Sequence, residues 1–82
     1  MPVVNLQPGA VLDVVAGQIQ SVTHLYRTGQ GSDSPGNVGW VPTGGQLQMA
    51  PLAVGGTVTF TINSAAGMIS NGCSSMVQVM WQ

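Results

Sequence analysis

The side chains here that could do chemistry near neutral pH are few and scattered: Asp13, His24, Arg27, Asp33, Cys73 and isolated serines. His24, Asp13 and a serine could be written as a nucleophilic triad, with the imidazole as base and the carboxylate orienting it. That chemistry needs a three-dimensional geometry that residue types alone do not supply, and no Gly-x-Ser-x-Gly elbow is present. An 82-residue chain rich in small side chains also encloses little cavity. The expectation is that the protein is not an enzyme. His24 reads as a hydrogen-bonding strand residue, or as one that could line the axis of a homotrimer and share an ion there.

Cys73 follows Asn71-Gly72 with no adjacent base and no second cysteine, so it reads as a quiet thiol, and no internal disulfide can form. One His, one Cys and two Asp fall short of the usual four Cys or His ligands of structural zinc. There is no lysine, hence no P-loop. No metal or cofactor is expected. Arg27 is the sole cation and is expected to pair with Asp13, Asp33 or a partner's carboxylate.

Three formal charges in 82 residues, 4% of the chain, is far below the quarter or so of ordinary domains. Charge keeps proteins apart in solution, so this composition points to life inside an assembly. A net charge of −1 offers no electrostatic footprint for nucleic acid or an anionic membrane. The start, Met1-Pro2-Val3-Val4-Asn5, lacks the basic and apolar regions of a signal peptide, and no apolar run could span a bilayer as a helix. A single domain of this size buries only about 60–65% of its unfolded surface, so oligomerisation or docking is the natural staple.

The elements that must position these residues are short strands. Turn signals recur at Pro8-Gly9, Ala16-Gly17, Gly44-Gly45, Gly55-Gly56 and Asn71-Gly72. With twelve glycines and five prolines, no capped helix of useful length is predicted. The fold class expected is all-β, a small antiparallel sandwich or barrel of about six to seven short strands, as one domain over 1–82. Residues 57–63 alternate best, with Val58, Phe60 and Ile62 on one face and Thr57, Thr59 and Thr61 on the other. Strands are also predicted over 10–15, 18–28, 38–41, 46–50 and 76–82. In 18–28, Ile19, Ser21, Thr23, Leu25 and Arg27 share a face. Residues 28–39 form a long Gly/Ser loop that would order on a neighbouring subunit or stay a mobile hairpin tip. Leu6 to Val14 and Leu52 to Phe60 echo one another as apolar residue, glycine turn, strand.

Candidate contact residues follow from the same pattern. In the last strand Val77, Val79 and Trp81 suit a private core, while Met76, Gln78, Met80 and Gln82 suit a contact face, methionine being adaptable and polarizable. Trp40 and Trp81 are the aromatic anchors, Trp81 the readier for an interface. From Ser34 onward there is no formal charge, and that half holds both tryptophans and four of the five methionines. The contact surface is therefore expected there, with Met49 and Met68 included and the N-terminal half facing solvent.

These features predict a structural assembly protein. The best instance is a small virion accessory, a capsid decoration (cement) protein of a tailed bacteriophage, located in the virion. Its partners would be major capsid or other virion subunits, with a homo-oligomer expected and neither nucleic acid nor membrane. The alternative is a β-sandwich binding module of adhesin-like or carbohydrate-binding type, with Trp40, Asn37 and Asp33 as the sugar-facing cluster.

Overall fold

A computed structural model describes residues 2–30 and 32–81. Met1, Gly31 of the long loop and Gln82 of the expected contact face lie outside the described residues. The chain forms β1 (Val3–Leu6), β2 (Val11–Val14), β3 (Val22–Arg27), β4 (Asn37–Pro42), β5 (Gln48–Pro51), β6 (Thr57–Thr61), β7 (Gly67–Asn71) and β8 (Val77–Trp81). No helix occurs among the described residues.

Every pairing is antiparallel. β1 pairs with β8, β2 with β7, β3 with β6 and β4 with β5. The chain is thus one long hairpin with β4 and β5 at its tip. Rolling that hairpin brings β8 against β3 and β7 against β4. Two four-stranded sheets result, β1-β8-β3-β6 and β2-β7-β4-β5. This eight-stranded, double-sheet winding is a jelly roll.

Eight strands are present where six to seven were expected. The two additional ones are β1 and β7. β7 reads Gly-Met-Ile-Ser-Asn and has little intrinsic strand preference, yet it is held on both sides, by β2 and β4. Tertiary pairing overrides propensity there. Residues 18–21 are not strand, because the chain is still leaving the turn at Ala16-Gly17.

That turn belongs to a repeated type. Ala10 donates to Gln7, Gln18 to Val15, Gly45 to Pro42 and Gly56 to Ala53, at 2.8–3.1 Å. In each, the third residue is a glycine with φ between 76° and 84°. A type II turn needs that positive φ, which a Cβ disfavours. The echo between residues 6–14 and 52–60 is this shared turn chemistry. Asn71-Gly72 differs: it ends β7, and the buried Asn71 amide donates to Leu6 O at 2.9 Å and Ser75 O at 3.0 Å. Its Oδ1 accepts from Cys73 N at 2.9 Å.

The alternation read from sequence places the core correctly. Leu25, Val38, Ile69, Val77 and Val79 are fully buried between the sheets, with Phe60 and Ile62 beside them. Thr57, Thr59 and Thr61 face outward. Thr23 is also fully buried, and its hydroxyl has no hydrogen-bond partner. The β6–β7 connection is the strained place. Asn63 and Ser64 have φ of 51° and 62°, in a turn closed by Ala65 N to Ile62 O at 3.1 Å.

A non-glycine residue in the left-handed region costs about 1–2 kcal/mol. Ser64→Gly should therefore raise the unfolding free energy by about 1 kcal/mol. Urea titration should show a higher midpoint at unchanged slope. A lower midpoint would show that the serine earns its place by a contact outweighing the strain.

Candidate functional site

The inward phase of β3 carries the only cation into the sandwich. Arg27 is 1% exposed. Its four hydrogen bonds go to neutral oxygens. Nε donates to Ser75 Oγ at 2.8 Å, Nη1 to Leu52 O at 2.8 Å, and Nη2 to Ser34 O at 2.5 Å and Ser74 Oγ at 3.1 Å. The expected carboxylate partner is absent from this set. Asp13 sits on β2 in the other sheet, and Asp33 Oδ2 instead accepts from Gln30 N at 2.8 Å, capping its own turn. Carbonyl dipoles converging on the guanidinium replace a counter-ion.

The geometry of Arg27 also decides the long loop. Nη2 holds Ser34, and Leu52 N donates to Gly36 O at 3.0 Å. The described part of the loop is tied to its own chain, not left free as a mobile tip. Beside it lies an open cleft of about 390 Å³, lined by Arg27, Asp33, Pro35, Pro51, Leu52 and Val54 among others. The arginine donors are largely spent on loop oxygens, so the cleft presents mostly apolar wall and the Asp33 edge.

The triad does not assemble. His24 lies on the outer face of β3 with Nδ1 3.1 Å from Thr59 Oγ1. Asp13 is exposed on the outer face of the opposite sheet. Face-packed sheets lie about 10 Å apart, so the whole core separates base from carboxylate. Among the described residues no group of three or more His, Cys, Asp or Glu could hold a metal ion. Cys73 is buried, and burial pushes its thiol pKa up while nearby Arg27 pulls it down more weakly. The buried thiol keeps its proton where the unfolded one releases it. This contribution to stability is therefore present below the ordinary thiol range and is lost as pH rises through the raised folded value.

The contact candidates separate into three groups. Trp40 and Trp81, expected as anchors, are 1% and 5% exposed and belong to the core. Their inward strand phase consumes them, and in so small a domain both rings are needed to fill the space between sheets. Met80 and Gln78 are half-buried on the outer face of β8, while Met76 precedes the strand and its sulfur accepts from Gln7 Nε2 at 3.8 Å. Met49 and Met68 are 60% and 46% exposed on the outer face of the β2-β7-β4-β5 sheet.

Around those two methionines lies an apolar patch that the sequence reading did not assemble. Val11 and Leu47 are exposed there too. The register sets Val11 beside Ser70, Gly39 and Met49 in one row, and Asp13 beside Met68 and Val41 in the next. Leu47 lies across Gly39, where an added Cβ would come within 3.2 Å of Leu47 Cδ1 and 2.8 Å of Ser70 Oγ. The signal was present in β2, whose apolar residues occupy both phases. The expected split between a solvent-facing N-terminal half and a contact-forming C-terminal half does not hold. Each sheet takes strands from both halves, and Asp13 pairs directly with Met68.

The chain matches no protein-family model. It likewise matches no curated protein sequence.

Two outcomes test the buried arginine and thiol. Arg27→Met leaves the Leu52 and Ser34 carbonyls without their donor and should cost about 3 kcal/mol. Thermal unfolding should drop accordingly, and Arg27→Lys should not restore it, since one ammonium does not span three loops. Wild-type melting of Arg27→Met would refute the staple. Alkylation of Cys73 in the folded protein at pH 8 should run on the order of a hundredfold slower than in denaturant; equal rates would show the thiol to be accessible.

Proposed function

We propose that this protein is a structural assembly protein, best cast as a small capsid decoration (cement) protein of a tailed bacteriophage, acting in the virion and not as an enzyme. Its partners would be major capsid or other virion subunits, gripped through neutral apolar and backbone contacts. The observation that carries this reading is the outer face of the β2-β7-β4-β5 sheet. Val11, Leu47, Met49 and Met68 are exposed there beside a single carboxylate, Asp13. Contiguous exposed apolar patches on small domains mark contact sites. Methionines let such a patch adapt to a partner.

The jelly roll serves viral capsid proteins and lectins alike, so the fold by itself favours neither reading. The surface lends more support to the assembly reading. A sugar site wants an exposed aromatic platform, and Trp40, the ring proposed for it beside Asn37, is sealed in the core. The carbohydrate-binding alternative retains the exposed Asn37, Asp33 and the neighbouring cleft, without its aromatic ring. No helix among the described residues is long and apolar enough to cross a membrane.

The test is binding to phage capsid shells that lack their decoration protein, read by cosedimentation. An apolar contact should change less than about threefold in affinity between about 50 and about 500 mM salt, where a charged one weakens steeply. Met68→Asp should abolish binding while leaving the circular dichroism unchanged. Retained binding by Met68→Asp, or a steep salt dependence, would sink the proposed face.

A further inference from the structure

A jelly roll leaves four free strand edges, and each exposes unpaired N–H and C=O groups unless something blocks it. Hydrogen bonding alternates along an antiparallel strand, so the unpaired groups belong to every second residue. On β2 they belong to Val11 and Asp13, and the Asp13 carboxylate guards that edge. On β5 they belong to Met49 and Pro51, and proline has no N–H to offer. On β1 they belong to Val3 and Asn5, directly after Pro2. A two-fold pairing there would set an exposed valine against an amide.

β6 is the edge with neither a guard nor a mismatched self-pairing. Arg27 N donates to Gly56 O at 3.2 Å and Ile62 N to Ser21 O at 2.8 Å. These fix the phase: Val58 and Phe60 bond to β3, and the main-chain groups of Thr57, Thr59 and Thr61 point away from the sheet. All three threonines are exposed, and the strand contains neither charge nor proline.

We infer that β6 is a self-pairing edge whose occupant is the β6 of a second copy of this chain. The strand is palindromic in kind about Thr59: Thr-Val-Thr-Phe-Thr. Antiparallel pairing on a two-fold axis at Thr59 sets Thr59 against Thr59 and Thr57 against Thr61 of the copy. Each of these pairs exchanges both its N–H···O bonds. The same register sets the half-buried Val58 against Phe60 of the copy, in the narrow, non-hydrogen-bonded pairs where side chains approach most closely. Aromatic against β-branched is a favourable cross-strand pair, and threonine against threonine is another. No like charges meet. The two β1-β8-β3-β6 sheets become one continuous sheet. This leaves the Met49 and Met68 face free, so the dimer deepens the assembly reading without sharing its surface.

Oxidative cross-linking reads the register directly. Directly opposed residues of a hydrogen-bonded pair have Cα atoms about 5.5 Å apart, inside the range a disulfide bridges. Thr59→Cys should give a reducible dimer under mild oxidation. Thr61→Cys alone should not, its own copy lying roughly 13 Å along the strand. The double variant Thr57→Cys, Thr61→Cys should cross-link again. The wild type, with only buried Cys73, is the control. Sedimentation of the wild type should give a dimer, and Thr59→Lys should halve the mass with circular dichroism unchanged. A wild-type monomer, or equal cross-linking at all positions, overturns the inference. The assembly reading survives that failure if Met68→Asp still abolishes shell binding, and falls separately if it does not.

Discussion

The buried guanidinium of Arg27 is the interaction on which the loop end of this sandwich depends. A charge at 1% exposure is costly unless its donors are met. They are met by Leu52 and Ser34 carbonyls and by Ser74 and Ser75 hydroxyls, from three separate loops. The desolvation of the charge and the satisfaction of the carbonyls are thus one problem with one solution. A planar fork with five donors can hold three loops at once, and no other side chain in the chain could. The described part of the 28–36 segment, which has almost no apolar anchor of its own, is docked as a result. Asn71 does the parallel job at the start of the β7–β8 loop, tying Leu6 and Ser75 together with Cys73.

With its only cation interior, the chain presents a surface whose formal charges are Asp13 and Asp33. Rolling one long hairpin distributes the two halves of the sequence over both sheets. Asp13 therefore borders the methionine patch instead of facing away from it. The two outer faces differ in character. One carries exposed methionine, valine and leucine; the other carries threonine, His24, Tyr26 and Asn5, with exposed Val3 beside half-buried Met80 and Gln78 near them. Under the assembly proposal, these faces and the free strand edges are where a partner would bury surface.

Much of the fold was legible in particular residues. The threonine–apolar alternation of β6 and the valine–tryptophan phase of β8 announced which side was core. The odd phase of β3 carried Thr23, Leu25 and Arg27 inward together. β7 was not legible, because glycine, serine and asparagine are weak strand formers and only its two neighbours make it a strand. The tryptophans were read two ways: phase put Trp81 on the core side, while ring size offered Trp40 and Trp81 as interface anchors. Proximity to the chain end suggested exposure for Trp81, but strand phase governs burial, and its phase points inward.

By itself the sequence determined the all-β class, the glycine turns, the phase of the strongest strands and the scarcity of surface charge. These follow from local rules, the period of two and the backbone freedom of glycine. Tertiary structure alone decided that Arg27 ends among neutral oxygens, that Val11, Leu47, Met49 and Met68 share a face, and that β6 keeps an open edge. Each is a matter of which distant segments become neighbours. That is set by the rolling of the hairpin, a global choice that no short window of sequence encodes.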